Sequence, residues 1–392
     1  MAKIVNCWNE WDPLKRVVVG RPEGTAVTAP GPDWMYNMAD GGVPLGYWKS
    51  FPQEYIDEAN EQMDAFIKIM RNRGVTNVDR ITIHPSMLSE RPIVHPDWTQ
   101  INQHGWNNPR DLYLPLGNEI MEAPGSRRSR YYEYLGLRPL VEKWFKEDPE
   151  FLWTAAPRPW LSNESFKDGY YWDYAYVWDE ATKKEKMLNW EYHLTEKEPL
   201  WDAADACRAG KDIFWQPSAV TNRGGMEWLR RYLSTRGFRL HVMQMDSSPA
   251  GYYRPWHIDV VVNMPRPGLM VVSNKKRIMD PKIVDLFKKN DWEIVPAVDP
   301  EYQWNETFTL SATPQGKGVQ GPNWISMNTF SLSPKEICVS DKEHGYMEQL
   351  NKLGVEVIPV AYEKVYKFGG MLHCTTLDVY REGKCEDYFP NQ

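Results

Sequence analysis

The chain has 392 residues, 46 basic and 53 acidic for a formal net charge of −7, and 13% aromatic residues. That length accommodates one large domain or two to three of about 100–200 residues each, with a sizeable core either way. The acidic balance and the scatter of basic residues argue against a nucleic-acid or anionic-membrane partner, and no apolar run approaches the roughly 18 residues of a membrane span, which leaves a small molecule as the predicted partner.

In chain order, Trp8-Asn9-Glu10-Trp11 is too polar for a signal-peptide core, which predicts a cytoplasmic protein, and Asn9-Glu10-Trp11-Asp12-Pro13-Leu14 leads into the apolar Val17-Val18-Val19-Gly20. Gln53 to Arg73 carries Ile56, Met63, Phe66, Ile67 and Met70 at helical spacing, and Gly74 ends that helix as a left-handed cap before Val75. Pro109-Arg110-Asp111 precedes the apolar run from Leu112 to Ile120. Residues 160–200 are charged and aromatic and read as a long inserted loop, and Asp202-Ala203-Ala204-Asp205 then precedes Ile213-Phe214-Trp215. Met226 to Arg236 is a helix stopped by Gly237 before the strand-like Phe238 to Val242.

His257-Ile258-Asp259 opens Val260-Val261-Val262, with Leu269-Met270-Val271-Val272 as its return strand. Lys282 to Lys289 passes through Asn290 into Trp292-Glu293-Ile294-Val295. Residues 301–322 form a second polar inserted loop. Trp324-Ile325-Ser326-Met327-Asn328 follows, then the helix Tyr346 to Leu353 with Gly354 and the strand Val355 to Ile358, and last Leu372-His373-Cys374 after Gly369-Gly370. Helix, glycine or asparagine, strand is one recurring unit; a polar motif before an apolar strand is the other. Together they predict an α/β fold of about five non-identical units closed around one axis, with no linker dividing residues 1–392. Closure would gather Asp111, Asp202, His257, Asp259 and Cys374.

The five cysteines, Cys7, Cys207, Cys338, Cys374 and Cys385, are odd in number and without a C-x-x-C pair, which predicts free thiols and no metal site. Cys7 and Cys338 read as strand core, Cys207 as helical, and Cys385 lies near a polar tail. Cys374 alone follows a Gly-Gly pair, where the backbone can adopt unusual angles, and has a titratable neighbour. With an imidazole and a carboxylate it supplies the parts of an activated thiolate nucleophile with an oriented base. The many aromatic residues lie mostly in amphipathic or strand-like runs, where packing is their ordinary role.

The motifs already quoted, with Gly117-Asn118-Glu119-Ile120-Met121-Glu122-Ala123-Pro124, Arg127-Arg128-Ser129-Arg130, Arg208-Ala209-Gly210-Lys211-Asp212 and Val220-Thr221-Asn222, resemble the arginine:X amidinotransferases from Asn9 to about Arg381. That family includes glycine amidinotransferase and enzymes of streptomycin, cylindrospermopsin and saxitoxin biosynthesis. The resemblance implies the pentein fold, a five-bladed α/β propeller with pseudo-fivefold symmetry and the active site in its central channel. It implies amidino transfer from L-arginine to an acceptor amine with release of L-ornithine, without metal or organic cofactor, in a protein that often dimerises. By position it makes Cys374 the nucleophile, His257 the acid/base and Asp202 its partner. Asp111 and Asp259 would bracket the guanidinium, and Arg277 would hold the donor carboxylate.

Two departures bear on the substrates. Several relatives carry paired serines where this chain has Gly321-Pro322, and glycine-using relatives have small or flexible residues where it has Arg254-Pro255-Trp256. Arg254 and Trp256 therefore join the expected substrate-binding residues, and the expected acceptor is an amine other than glycine, from an alkaloid or other natural-product pathway. Two alternatives stay open: a guanidino hydrolase of the same fold, in which water discharges the Cys374 adduct, and a non-catalytic aromatic-rich binding module.

Overall fold

The computed structural model describes residues 3–29, 31–33, 37–40, 49–83, 91–167, 179–246, 257–273, 278–302, 308–311, 319–320 and 323–392. Arg254, Trp256, Arg277 and the pair Gly321-Pro322 lie outside the described residues, as do parts of both inserted segments.

Five units repeat one pattern: a first strand, an antiparallel second strand, a helix, and a third strand parallel to the second. The first unit consists of strands Tyr113–Leu116 and Glu119–Glu122, helix Arg138–Glu147 and strand Leu152–Ala155. The second has Ala206–Ala209, Asp212–Trp215, helix Arg223–Ser234 and Arg239–Val242. The third has Val262–Arg266, Leu269–Val272, helix Pro281–Lys289 and Glu293–Pro296. The fourth has Phe330–Ser333, Glu336–Ser340, helix His344–Lys352 and Glu356–Val360.

The fifth unit is built from both ends of the chain. Its first strand is Thr376–Arg381, and its second strand, helix and third strand are Leu14–Val19, Gln53–Asn72 and Asn77–Arg80. Leu14 pairs with Arg381 and Val19 with Thr376, so the two ends are stitched into one sheet. Each first strand or the turn before it packs against the next unit in order, and the first strand of the fourth unit meets Leu14–Val19, which closes the ring.

The second strands sit at the centre of each sheet. Leu269–Val272 and Asp212–Trp215 are buried along their whole length, as apolar strands covered on both faces must be. Each such Val, Leu, Ile or Phe contributes about 1.5–3 kcal/mol by leaving water. The third strands are half exposed and carry the outer edge. Helices end where the sequence places a residue that tolerates positive φ: Gly74 at 89°, Gly237 at 78° and Gly354 at 81°. After Pro281–Lys289 the left-handed residue is Asp291 (φ 59°), and not Asn290, which stays at φ −112°.

One further expectation is corrected, and one helix has no expectation attached to it. Cys207 lies in a strand: Ala206–Ala209 is rich in small residues of good helix propensity, but its antiparallel pairing with Asp212–Trp215 overrides that preference. The helix Arg138–Glu147 ends without a glycine at Asp148, which is extended ahead of Pro149 and whose carboxylate accepts from the Glu150 amide at 3.0 Å and the Ile4 amide at 2.7 Å. Among the described residues no helix is long and apolar enough to cross a membrane.

Candidate active site

The residues that matter most sit on short turns just before the first strands. Pro109–Asp111 is a single 3-10 turn begun by proline, which carries Asp111 into the first unit. Ala203–Asp205 is capped by Asp202, and Ile258–Val260 by His257. Neither cap uses its side chain on the turn's own amides, which leaves carboxylate and imidazole for each other. Asn328 follows the turn Asn323–Met327, and the turn at 372–375 presents His373 and Cys374 ahead of Thr376–Arg381. One equivalent position in each unit thus contributes to one place.

His257 lies between two carboxylates, with Nε2 3.3 Å from Asp202 Oδ2 and Nδ1 3.5 Å from Asp111 Oδ1. Burial alone would lower the pKa of the ring, but Asp111, Asp202 and Asp205 together outweigh it and hold it up at about 9. Asp205, one turn on, accepts from Ser218 at 2.8 Å and from Thr221, and burial pushes its carboxyl up to about 7.

Cys374 Sγ is 3.2 Å from Asn328 Nδ2 and 3.4 Å from Asp259 Oδ2. Asn328 also fixes the turn, its Oδ1 accepting from the amides of both His373 and Cys374 at 3.0 Å. Gly370 is required by close approach: a Cβ there would stand 2.2 Å from Asn108 Oδ1 and 2.8 Å from Cys374 Cβ. Burial first, then the charges of Asp259 and Asp111, push the Cys374 thiol well above its ordinary range.

Asp111 and Asp259 are arranged alike. Each is buried, at 4% and 6% exposure, and each has one oxygen held. Arg130 Nη1 donates to Asp111 Oδ2, while its Nε donates to Glu133 at 2.7 Å and its Nη2 to the Asn108 carbonyl at 3.1 Å. His373 Nδ1 lies 2.8 Å from Asp259 Oδ2, with its Nε2 3.3 Å from Glu10. Among the described residues, Oδ1 of neither aspartate accepts a hydrogen bond, although Asp111 Oδ1 stands 3.5 Å from the His257 ring. A buried carboxylate oxygen without a hydrogen bond is expensive, on the order of 1–3 kcal/mol or more, and Asp259 Oδ1 in particular leaves an acceptor open to a bound donor. Burial would raise the Asp111 carboxyl, but the Arg130 and His257 charges hold it below its usual range. Burial pushes the Glu133 carboxyl up to about 8 despite the opposing Arg130 guanidinium.

Beneath this pair lies a charged floor. Arg208 grips Glu10 through Nε and Nη2, both at 2.7 Å, and Asp378 at 2.8 Å. Arg110 pairs with Asp378 at 2.7 Å and donates to the carbonyls of Thr376 and His373. A cavity of about 20 Å³ borders Glu10, Asp259, His373, Asn263 and Thr329, room for about one water and far too small for an amino acid.

Cys374, His257, Asp202, Asp111 and Asp259 therefore come from four units of the ring to one buried cluster. Glu10, Arg130, Asn328 and His373 belong to it too. Their signal in the sequence was membership of the polar motifs, which gave them no role because each works through a residue distant in sequence.

No protein-family model matches the chain. It is 33% identical over 391 residues to the mitochondrial glycine amidinotransferase of Xenopus tropicalis, covering 97% of this chain and 84% of that protein. The L-arginine:L-lysine amidinotransferase of Pseudomonas savastanoi pv. phaseolicola is 29% identical over 391 residues, 97% of this chain and 95% of that protein. The solved structure of SxtG, an amidinotransferase from Microseira wollei in the saxitoxin biosynthetic pathway, superposes with a TM-score of 0.79 at 31% identity, covering 98% of this chain and 99% of that one. A dimethylarginine dimethylaminohydrolase from Pseudomonas aeruginosa shares the fold alone, with a TM-score of 0.53 at 12% identity over 93% of this chain and 98% of that one. The architecture is the pentein α/β fold. The chain belongs to the amidinotransferase family.

Proposed function

We propose that the protein takes the amidino group of L-arginine onto Cys374, releases L-ornithine, and passes the group to an acceptor amine other than glycine. The observation that carries this reading is the pair of buried carboxylates, Asp111 and Asp259, each with one oxygen that accepts no hydrogen bond, whose charges both reach Cys374. A guanidinium is a planar fork of N–H donors, and two carboxylates can accept from its two ends while its central carbon faces the sulfur.

The same acids explain the order of events. In the free protein burial first, and then their charges, keep Cys374 protonated. A bound guanidinium neutralises them and so favours the thiolate: the thiol proton passes to solvent as the donor arrives and is taken back from solvent when the product departs. Sulfur attacks the guanidinium carbon, forming the S–C bond as the C=N electron pair moves to nitrogen. His257, protonated at neutral pH with its pKa held up at about 9, gives its proton to the departing amine as the C–N bond breaks. Neutral His257 then accepts a proton from the acceptor amine, which attacks the amidino carbon and expels the thiolate. Asp202 holds the ring for both transfers.

A relative named for glycine, another for lysine and a third placed in saxitoxin biosynthesis mark acceptor choice as the variable part of the family. Arg254-Pro255-Trp256, directly before His257 in place of the small or flexible residues of glycine-using relatives, supports an acceptor other than glycine.

Mass spectrometry of the protein after incubation with arginine alone tests the reading. It should gain one amidino group on the peptide containing Cys374 and release ornithine; citrulline without a transferable adduct would make it a hydrolase. Efficient formation of guanidinoacetate from arginine and glycine would overturn the acceptor assignment.

A further inference from the structure

His373 precedes the nucleophile, and its ring faces away from solvent between two acids of different origin. Asp259 comes from the turn Ile258–Val260, and Glu10 from the segment before Leu14–Val19. The backbone of His373 is held independently, its amide by Asn328 Oδ1 at 3.0 Å and its carbonyl by Arg110. Phe330 lies beside the ring at 6.2 Å between centroids. Glu10 is gripped by Arg208, which Asp378 grips in turn. A chain of contacts thus runs from the floor, Asp378–Arg208–Glu10–His373, and ends on one oxygen of Asp259.

We propose that His373 is a positioning residue for the donor cation: its Nδ1 fixes Asp259 Oδ2, so that Oδ1 is turned toward the substrate amidinium, and Glu10 keeps the imidazole from rotating away. This rests on the amidinotransferase reading of the site. A carboxylate held by one oxygen has a defined direction for the other, whereas one without that contact rotates about its terminal bond and spreads its acceptor over a wide arc. Asp111 is directed the same way by Arg130, so the two supports together set the separation of the two oxygens that accept no hydrogen bond.

The experiment compares alkylation of Cys374 by 2-chloroacetamidine, whose amidinium resembles the donor, with alkylation by neutral iodoacetamide. In His373→Ala the amidinium reagent should slow about tenfold to hundredfold relative to iodoacetamide, the worth of a hydrogen bond to a charged group. His373→Asn places an amide nitrogen near the former Nδ1 and should restore the ratio to within a few-fold of the parent. His373→Gln keeps a donor on the Glu10 side only and should not. A merely structural role would change both reagents together, or all three variants alike; either result overturns the proposal, as does an unchanged ratio in His373→Ala. If the alanine variant fails to fold, the Asn and Gln variants decide it by the same ratio. Failure of the functional reading is separate, seen when the parent protein gains no amidino group from arginine.

Discussion

Cys374 and Cys338 are both thiols raised first of all by burial, yet the region around Cys374 adds a second cause, two buried carboxylates, that the region around Cys338 lacks. Cys338 lies in the middle of Glu336–Ser340, wholly buried, and its shift is a matter of desolvation among apolar neighbours. Cys374 is 5% exposed, and the charges of Asp259 and Asp111 add to the effect of burial. An apolar wall stays apolar whatever binds nearby, whereas the field of two carboxylates disappears when a cation settles between them. A reactive thiol in this ring therefore differs from an inert one by whether part of the cause of its shift can be removed, and not by its acidity at rest.

The largest effect should come from removing the sulfur. Cys374→Ser should lower amidino transfer by about ten-thousandfold or more and abolish the arginine-dependent mass increase, since loss of a covalent nucleophile removes the shared intermediate. Residual turnover within a hundredfold of the parent would place the nucleophile elsewhere. Asp259→Asn should have opposite effects on two measurements: turnover falls by about a hundredfold to a thousandfold for want of one donor-binding charge, while iodoacetamide alkylates the resting thiol several-fold faster. If both fall, Asp259 is not what keeps the thiol protonated.

A smaller effect concerns His257. Single-turnover amidination should be constant at neutral pH and decline as pH rises through about 9, where the ring loses the proton it must donate. Asp202→Asn removes one of the charges that raise the ring and should move this limb downward; a limb that stays put would take Asp202 out of the account. Because the ring is raised from 6.5 in the unfolded chain to about 9 when folded, its stabilising contribution is complete below 6.5 and is lost as pH climbs through about 9. Thermal midpoints across that interval should fall, and should fall less in His257→Asn.

Much of the scaffold was legible in the sequence because it depends on local rules. Gly74, Gly237 and Gly354 mark helix ends since only positive φ fits there, and those helices begin and end within three residues of the expected places. The helix Arg138–Glu147 was not, because no glycine follows it; its end is marked instead by Pro149, which biases Asp148 to the extended conformation it adopts. In the site, Cys374, His257 and the aspartates stood out by residue type before a strand. Their supports did not: Glu10 meets His373 across 363 positions, and Arg130 meets Asp111 through a turn that no periodicity describes. The fifth unit shows the same limit, since no local signal says that Leu14–Val19 pairs with Thr376–Arg381.

The smallest effect is expected at the inert thiol. Cys338→Ala removes one sulfur from a closed core and should cost about 1 kcal/mol of stability, at the lower end for core truncations, because the residue is small. Turnover and its pH limb should be unchanged, because Cys338 pairs with Phe330 on one side and Ile358 on the other and none of the site's charges contacts it. A loss of transfer beyond a few-fold would mean that the packing of Phe330 against His373 transmits core strain to the turn of Cys374. In that event the two thiols would not be independent, and the distinction between a removable and a fixed cause of their shifts would have to give way to one shared environment.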